Sequence, residues 1–514
     1  MKRILSVSLA VVLIALTLPV FAAGNGTEGN PYEISTAEEL AGIKNNMSAH
    51  YLLVNDIDLL EYGNWTPIGG KFTGVLDGAG HSIDGMTIAV YGDYKDTGLF
   101  ERLGACTVKN LSLTEVDISA SGDWLFVGGI AGIAMDIDAG KTMTIENCAV
   151  SGTISVTGSG FLNCGGIVGG MRNGDFVVDN CTNSAEISAV SEGGANTGGI
   201  TGSVGVGTLK ITNCGNDGNV TASGASAYAG GIVGGMDLYG SVEITGCFST
   251  GAVSAATAGN TYVGGIAGRI DCNAESTLVI DTCITAGDIR ATGASIVYAG
   301  GIAGYIRTTQ EGALIENCVS LCNATAVATL TSQEYSVAGG ICGQVQGTAE
   351  ISGCVAAGGK LIAKVTVRIA RGNDVVYSEN LAIDTMVIGV SEDVAAVPAL
   401  HLGANQLNGQ TATAAEINAV HGKYALAKPV ILRGKSLHSG MKAFETGEGM
   451  CDIVIDAPNG EVMFLLAFYD AQGKLTGVFK GEADGDESVM ADMPIAAFDS
   501  DYKLLLWYAN QQPF

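Results

Sequence analysis

The segments Gly198-Gly199-Ile200-Thr201-Gly202 and Ile211-Thr212-Asn213-Cys214 contain the two motifs that decide the fold. The first motif, Gly-Gly-Ile-x-Gly, occurs seven times, and successive copies start 32 to 39 residues apart. The copies start at Gly128, Gly165, Gly198, Gly230, Gly264, Gly300 and Gly339. Short alternating runs of β-branched residues lie between the copies and predict strands. A repeat of this length predicts one three-sided coil of a parallel β-solenoid, whose stacked coils bury a continuous core.

The second motif places one cysteine in each repeat, at spacings of 33 to 36 residues. These cysteines are Cys148, Cys181, Cys214, Cys247, Cys283, Cys318 and Cys354. We predict that they stack as a ladder of free, buried thiols, because Leu111 fills the same slot one coil earlier. Disulfides and a metal site are the alternatives for a chain with thirteen cysteines. A single-file ladder does not favour the geometry that either of them needs.

The residue before each of these cysteines indicates how the coil bends. It is Asn or Gly in six of the seven repeats, and Thr282 is the exception. Asn and Gly share a tolerance for positive φ. We therefore predict a left-handed corner before each cysteine, except at Thr282.

The predicted fold class is all-β: a right-handed parallel β-helix with a helical N-terminal cap and a small C-terminal β-sandwich. Lys2 and Arg3, followed by an apolar stretch, predict a signal peptide. The predicted divisions are a signal peptide at 1–22, the N-terminal cap and first coils at 23–115, the repeats at 116–365, the closing coils and cap at 366–444, and the β-sandwich at 445–514. We expect an extracellular or cell-surface location, with no integral membrane segment after signal cleavage.

Local signals at the two ends refine this prediction. Ser35-Thr36-Ala37-Glu38 predicts a capping box that opens a short helix. Asp56, Asp58 and Asp77 are either turn formers or calcium ligands, and we favour turn formers because they lie beside Gly and Asn. A second short helix is predicted near residues 414–420, and a turn at residues 470–473.

Charge excludes some partners. The 52 acidic and 25 basic residues give a net charge of −27, which repels nucleic acids and anionic lipid surfaces. We therefore predict no nucleic-acid partner, and the sequence gives no sign of a cofactor or metal site.

The Gly-Gly-Ile-x-Gly and Ile-x-Asn-Cys motifs resemble the GLUG repeat of bacterial secreted and surface proteins, some of them attached to immunoglobulin A peptidases. The resemblance covers roughly residues 31–440 and includes Trp65-Thr66-Pro67-Ile68-Gly69 and Leu76-Asp77-Gly78. It implies a parallel β-helix of adhesin-like character. It implies no protease activity, because the sequence contains no His-Glu-x-x-His motif.

The first functional hypothesis is therefore an adhesin-like protein that binds host or bacterial surface glycans or proteins without catalysis. Phe126, Tyr228, Tyr262 and Tyr298 each lie two residues before a glycine pair. If they point outward they form a ligand-facing aromatic stripe, and if they point inward they belong to the core. We favour the core, because two-residue alternation places the tyrosines on the isoleucine side of the strand.

Two alternatives remain. Parallel β-helices also occur as polysaccharide lyases and glycoside hydrolases, which need grouped carboxylates and basic residues. The sequence shows Arg172, Arg269, Arg290 and Arg307 as isolated residues, and no coil concentrates carboxylates. We therefore predict no enzyme activity. The last alternative is a purely structural component of the envelope.

Overall fold

The structure is a computed structural model that describes residues 23–205, 207–273, 276–309, 312–329, 336–389, 397–398, 408–421, 425–429, 441–447, 450–456, 462–469, 475–484, 487–494 and 501–508. It is nearly all-β, with 60% strand and two short α-helices. The strands build a parallel β-solenoid of about ten turns, which confirms the prediction of an all-β parallel solenoid. The predicted signal peptide lies outside the described residues.

Four sheets form the sides of the solenoid. Sheet A consists of Tyr32–Ile34, His50–Leu53, Val75–Asp77, Thr107–Lys109, Thr142–Glu146, Gly174–Asp179, Gly207–Thr212, Ser241–Thr245, Thr277–Asp281, Ala313–Glu316, Thr348–Ser352 and Asp374–Ser378. Sheet B consists of Ile57–Asp58, Ser82–Asp84, Thr87–Tyr91, Ser112–Ser121, Ala149–Gly158, Thr182–Asn183, Glu186–Ser191, Gly215–Asn216, Val220–Gly224, Phe248–Ser249, Val253–Thr257, Ile284–Thr285, Ile289–Gly293, Val319–Ser320, Ala324–Ala328, Val355–Ala356, Lys360–Ile362, Leu381–Ile383, Val387–Gly389, Val397–Pro398 and Gln410–Ala412.

The Gly-Gly-Ile motif separates the other two sheets. Sheet C consists of Asp96–Thr97, Leu125–Val127, Phe161–Gly165, Gly194–Gly198, Ser226–Gly230, Thr261–Gly264, Val297–Gly300, Ser336–Gly339 and Val365–Val367. Sheet D consists of Ile68–Phe72, Phe100–Leu103, Ala131–Met135, Val168–Arg172, Thr201–Val204, Val233–Leu238, Ala267–Cys272, Ala303–Thr308, Cys342–Gln346 and Ala370–Arg371. The prediction of a three-sided coil is therefore wrong, because the chain turns at each Gly-Gly-Ile and makes two strands there.

Register between coils is regular, apart from shifts between Leu113 and Val116, Ile68 and Lys71, and Cys342 and Gln344. Each strand pairs in parallel with the equivalent strand of the next coil, as Ile211 does with Ile244 and Tyr228 with Tyr262. One pair in sheet B, Val387–Gly389 with Val397–Pro398, is antiparallel. The coils approach so closely that a Cβ atom on Gly199 would lie 2.1 Å from a carbonyl oxygen of the next coil. The paired glycines of the motif are thus required by stacking.

The corner before each cysteine adopts the predicted left-handed conformation. The φ angles lie between 50° and 65° at Asn110, Asn147, Asn180, Asn213, Gly246, Thr282, Asn317 and Gly353. The exception made for Thr282 is wrong, since its coil turns in the same way as its neighbours. Asparagine side chains also bond along this edge, where Nδ2 of Asn180 donates to Oδ1 of Asn147 at 2.8 Å.

At the N-terminal end, α1 spans Ala37–Gly42 and a 3₁₀ helix follows at Ile43–Asn45. The capping box is shifted by one residue from the predicted position. Thr36 Oγ1 accepts from the backbone N–H of Glu39 at 3.2 Å, and the Glu39 carboxylate accepts from the N–H of Thr36 at 3.2 Å. The spacing of three residues is that of a capping box, so Thr36 rather than Ser35 opens the helix.

The three N-terminal aspartates accept hydrogen bonds at turns. Oδ1 of Asp58 accepts from the N–H of Leu60 at 2.8 Å, and Oδ1 of Asp77 accepts from the N–H of Ala79 at 2.9 Å. Oδ1 of Asp56 accepts from a backbone N–H of the following coil at 3.0 Å. Within the part of the chain that the structure describes, no group of three or more His, Cys, Asp or Glu side chains is placed to hold a metal ion.

The C-terminal region contains α2, Ala414–His421, close to the predicted helix. Beyond it, six antiparallel strands form a sheet. In spatial order these strands are Met441–Gly447, Met450–Asp456, Glu487–Pro494, Leu475–Asp484, Val462–Tyr469 and Asp501–Tyr508. The predicted turn at 470–473 lies outside the described residues.

Candidate binding groove

Two rows of outward-facing residues run along the solenoid axis, one in sheet C and one in sheet D. Strand register aligns the members of each row on successive coils. Row C contains Asp96, Phe126, Asn163, Asn196, Tyr228, Tyr262, Tyr298, Val337 and Val365. Row D contains Arg102, Ile133, Gly170, Ser203, Gly235, Arg269, Tyr305, Gln344 and Arg371.

The rows face each other across a groove, with row C offset by one coil from row D. The guanidinium carbon of Arg269 lies 5.0 Å from the ring centroid of Tyr228. A Cβ atom on Gly170 would lie 2.7 Å from the ring of Phe126. Each side chain of row C therefore reaches over the next coil of row D, and their sizes together decide whether the groove is filled or open.

Tyrosines fill the groove over the later repeats. Tyr262 stacks on Tyr228, Tyr298 and Tyr305, with ring centroids 5.2, 5.5 and 4.9 Å away. Tyr262 is 6% exposed and Tyr298 is 9% exposed, whereas Tyr228 and Phe126 are half-buried. Burial raises the pKa of Tyr262. The structure thus brings the three predicted tyrosines together and separates them from Phe126 by Asn163 and Asn196.

The predicted burial of Tyr262 and Tyr298 holds, but the reason given for it is wrong. Their strand neighbours Val263 and Ala299 face the main core, and the tyrosines form a separate cluster on the outer side. The prediction assumed that inward and outward side chains alternate without interruption from the tyrosine to the isoleucine. This assumption fails because the chain turns sharply between the glycine pair and the isoleucine. The tyrosines are buried by each other and by Tyr305 of the facing row.

In the middle repeats the groove is open, because small residues stand where tyrosines stand later. A cavity of about 350 Å³ lies here. Its lining includes Arg172, Asn196, Ser203, Gly235, Asp237, Tyr239 and Arg269. We call it the row pocket. A sequence signal locates this pocket. In two successive repeats, Asn163 and Asn196 occupy the row C position that is aromatic in the repeats before and after them, and the facing residues of row D are Ser203 and Gly235.

Polar groups of the row pocket are left with free bonding capacity. Ser203 is only 6% exposed, and its Oγ has no hydrogen-bond partner among the described residues. Nδ2 of Asn196 donates to Oδ1 of Asn163 at 2.9 Å, and Oδ1 of Asn196 lies next to Gly235. A buried hydroxyl without a partner is destabilising unless something else binds it.

Two arginines line the pocket in different states. Arg269 forms ion pairs with Asp237, at 3.2 Å, and with Asp271. Arg172 has no carboxylate within 4.0 Å among the described residues, and its guanidinium carbon lies 4.8 Å from the ring centroid of Phe126. Partial burial lowers the pKa of Arg172, but an arginine keeps its charge in proteins. Arg172 therefore keeps its positive charge in the pocket, where the Asp237 carboxylate interacts with it electrostatically.

The expectation that the repeat arginines are isolated is wrong for Arg269 and Arg307. Asp271 is almost fully buried and pairs with both of them, at 2.9 Å from Nε of Arg307. Asp237 and Asp271 also stand side by side on adjacent coils. Register joins residues that are a whole repeat apart in the sequence, so a charged network forms on sheet D.

The seven ladder cysteines lie in the interior, fully buried and free of disulfides. The thiol of Cys214, for example, donates to the carbonyl oxygens of Val178 at 3.5 Å and Thr212 at 3.3 Å. Burial in apolar surroundings raises the pKa of Cys214 and Cys318 well above the ordinary value. Thiols with raised pKa values are poor nucleophiles. At Cys181 and Cys247 burial also raises the pKa, but hydrogen bonds with neighbouring thiols outweigh burial and lower the pKa below the ordinary value.

Comparisons with known proteins find similarity to segments only. A Gly-rich membrane protein from Evansella cellulosilytica is 40% identical over 125 residues, 22% of this chain and 14% of that protein. Halomucin from Haloquadratum walsbyi is 33% identical over 162 residues, 28% of this chain and 2% of that protein. An immunoglobulin A1 protease from Streptococcus sanguinis is 36% identical over 118 residues, 22% of this chain and 6% of that protein.

The chain thus spans a small part of the length of each of these relatives. A crystal structure described as an immunoglobulin A1 protease from Bacteroides ovatus aligns with 78% of this chain and 89% of that chain, at 21% identity and a TM-score of 0.39. No family model matches the chain, so the resemblance to the GLUG repeat stays a prediction. In the described residues, no helix has both the length and the apolar character needed to cross a membrane.

Proposed function

We propose that this protein is a secreted or cell-surface, adhesin-like β-solenoid that binds carboxylated glycans in the row pocket without catalysis. The observation that carries the proposal is that the row pocket is lined by Arg172, which has no carboxylate within 4.0 Å among the described residues, and by Ser203, whose buried hydroxyl has no hydrogen-bond partner among them. Concave sites with a few convergent polar groups are typical of saccharide-sized ligands. The pocket volume of about 350 Å³ is at the small end of such sites.

Each polar group has a distinct role in this proposal. The Arg172 guanidinium binds the sugar carboxylate through two parallel hydrogen bonds. The Ser203 hydroxyl and the Asn196 amide bind sugar hydroxyls. Because the protein carries a net charge of −27, an acidic ligand is held by this local positive charge against a repulsive overall field. Binding should therefore depend on salt concentration in two opposing ways: screening weakens both the contact and the repulsion.

The proposed architecture for this function includes three further parts. The solenoid winds in a right-handed sense, as connections between parallel strands of one sheet almost always do. Helix α1 caps the N-terminal end of the core, since Leu40 and Ile43 are fully buried. In this proposal the sheet of six C-terminal strands belongs to a small β-sandwich, and the signal peptide at 1–22 exports the chain. Partial similarity to proteins named halomucin and Gly-rich membrane protein is consistent with a surface location.

A second candidate function is cleavage of an acidic polysaccharide by a lyase or hydrolase mechanism. The observation that favours it is the group formed by Asp237, Asp271, Arg269 and Arg307, of which Asp237 and Arg269 line the pocket. Glycoside hydrolysis needs one carboxyl group that donates a proton and one that attacks or activates water. Asp271 is held between two arginines, which favours a structural carboxylate over a proton donor. We therefore prefer binding without catalysis.

The test is a panel of immobilised neutral and carboxylated oligosaccharides, probed with the full chain and with Arg172→Gln and Ser203→Ala. We expect carboxylated members to bind, and R172Q to weaken binding about tenfold or more, as for loss of a charged hydrogen bond. Lys210→Gln is the matched control, since Lys210 is paired with Glu243 on sheet A.

Three results would count against the proposal. Equal binding by R172Q and the wild type would exclude the row pocket. New reducing ends or unsaturated products after incubation would favour the enzyme. Absence of binding to every oligosaccharide of the panel would favour a purely structural role in the envelope.

A further inference from the structure

Three aromatic side chains form an exposed row near the groove, on the two coils before the row pocket and on the coil that contains Arg172. They are Tyr94, Trp124 and Phe161, which are 72%, 46% and 50% exposed. The ring centroids of Trp124 and Phe161 lie 5.1 Å apart, the spacing of adjacent coils. Large apolar rings that remain in water on three successive coils are unusual on a monomer surface and indicate a contact surface. We call this row the aromatic platform.

The platform is held in place by the backbone rather than by packing of the rings. Trp124 and Tyr94 both have a φ of 57°, a left-handed conformation that large side chains seldom adopt. The turn beside them is fixed by Asp123, whose Oδ1 accepts from the N–H groups of Ser159 at 2.8 Å and Gly160 at 2.9 Å. The backbone at Tyr94 and Trp124 thus adopts an unfavourable conformation, which places these rings on the surface.

The platform and the row pocket lie on one continuous surface. Trp124 lies two residues before Phe126 of row C. Phe161 lies two residues before Asn163 of the same row. Phe126 in turn contacts Arg172 of the pocket. From the coil of Tyr94 to that of Arg269 there are about five steps of roughly 4.8 Å, or about 24 Å along the axis. An oligosaccharide is long enough to occupy both places.

Charges on the platform select the kind of sugar. Asp93 and Asp123 lie beside the rings, and the N–H of Asp123 donates to Oδ1 of Asp93 at 3.0 Å. Hydrogen bonds from Ser159 lower the pKa of Asp123, so this carboxylate is ionised at neutral pH. An apolar partner would desolvate these carboxylates without bonding them, and a carboxylated sugar would be repelled. A neutral sugar offers an apolar ring face together with hydroxyl donors.

We propose that the aromatic platform is a second subsite of the glycan site, where an uncharged sugar stacks on Trp124 while a carboxylated sugar of the same oligosaccharide occupies the row pocket. The inference rests on the proposed function. It names the ligand class as a mixed saccharide in which acidic and neutral sugars occur in one chain.

The experiment is a calorimetric and fluorescence titration of the full chain with hyaluronan hexasaccharide, in which uronic acid alternates with a neutral sugar. Hexagalacturonate, in which every sugar is carboxylated, is the comparison probe. We expect Trp124→Ala to weaken binding of the hyaluronan probe about five- to tenfold, and Trp124→Phe to retain binding within about twofold. Trp65 is buried and Trp124 is 46% exposed, so the fluorescence change that Trp124 contributes on binding should be lost in W124F.

The outcomes separate the inference from the function it rests on. Unchanged binding by W124A together with weakened binding by R172Q overturns the platform and leaves the row pocket standing. Weakened binding by W124A with unchanged binding by R172Q supports the platform and overturns the pocket. An equal effect of W124A on both probes overturns the selection of a neutral sugar. If neither probe binds the wild type, the proposed function and this inference fail together.

Discussion

Replacement of Tyr262 by alanine tests whether the tyrosine stack supports the groove. Its ring is 6% exposed and stacks against three other tyrosines at 4.9 to 5.5 Å. Truncation of a buried aromatic side chain costs about 3–5 kcal/mol, and each aromatic pair adds about 0.5–1.5 kcal/mol beyond burial. The stack lies on the outer side, where water refills the space, so we expect a loss near the lower limit of about 3 kcal/mol.

Amide hydrogen exchange is the appropriate assay, because a solenoid unfolds locally and a single global free energy is poorly defined. Protection should fall in the strands Thr261–Gly264 and Ala303–Thr308, and should hold in the first coils. Tyr91→Ala is the control, since Tyr91 is exposed and its loss should change stability by no more than about 0.5 kcal/mol. Equal protection in Y262A and the wild type would refute the burial of the stack.

Three further predictions follow from the fold. Arg368→Ala should lower the stability of the last coils by about 3 kcal/mol in hydrogen exchange, because the fully buried guanidinium bonds Thr411 Oγ1 at 2.8 Å; normal protection there would contradict this. Gly199→Ala should lower the thermal midpoint, whereas Gly29→Ala should not, because a Cβ atom at Gly29 meets nothing within 4 Å. Burial raises the pKa of the Cys214 and Cys318 thiols in the folded state, so the stability that these two thiols contribute should be constant below pH 9.0, the ordinary thiol value, and fall as pH rises above it; denaturation curves measured from about pH 7 to about pH 10 would test this sign.

Much of the fold is predictable from the sequence because stacking repeats the same constraints in every coil. The glycine pairs, the cysteine position and the left-handed corners recur in the repeats. The spacing of Cys148, Cys181 and Cys214 therefore predicts which residues pair between coils. The corner at Thr282 shows that position in the coil overrides residue preference: its φ is 51°. Neighbouring coils impose the turn there, although threonine does not favour it.

The binding groove is less predictable, because it depends on how two sheets face each other. Tyr228 packs on Arg269, a residue of the next coil, and nothing in local alternation indicates that offset. The row pocket arises from differences between repeats, where Asn196 and Gly235 replace larger residues. The aromatic platform depends on left-handed corners at Tyr94 and Trp124, which no motif marks.

The register of successive coils is the claim on which the groove, the pocket and the platform all depend. Thr221 and Ser254 are register partners on the outside of sheet B, with their hydroxyl oxygens 3.4 Å apart. Pyrene attached to cysteines in Thr221→Cys/Ser254→Cys should give excimer fluorescence, because the two sites are adjacent. The native thiols are buried, so the label should react with the two introduced cysteines. In Thr221→Cys/Thr325→Cys the two sites are three coils apart by register, and we expect monomer emission alone. Monomer emission from the first pair, or excimer emission from the second, would contradict the stacking of these repeats.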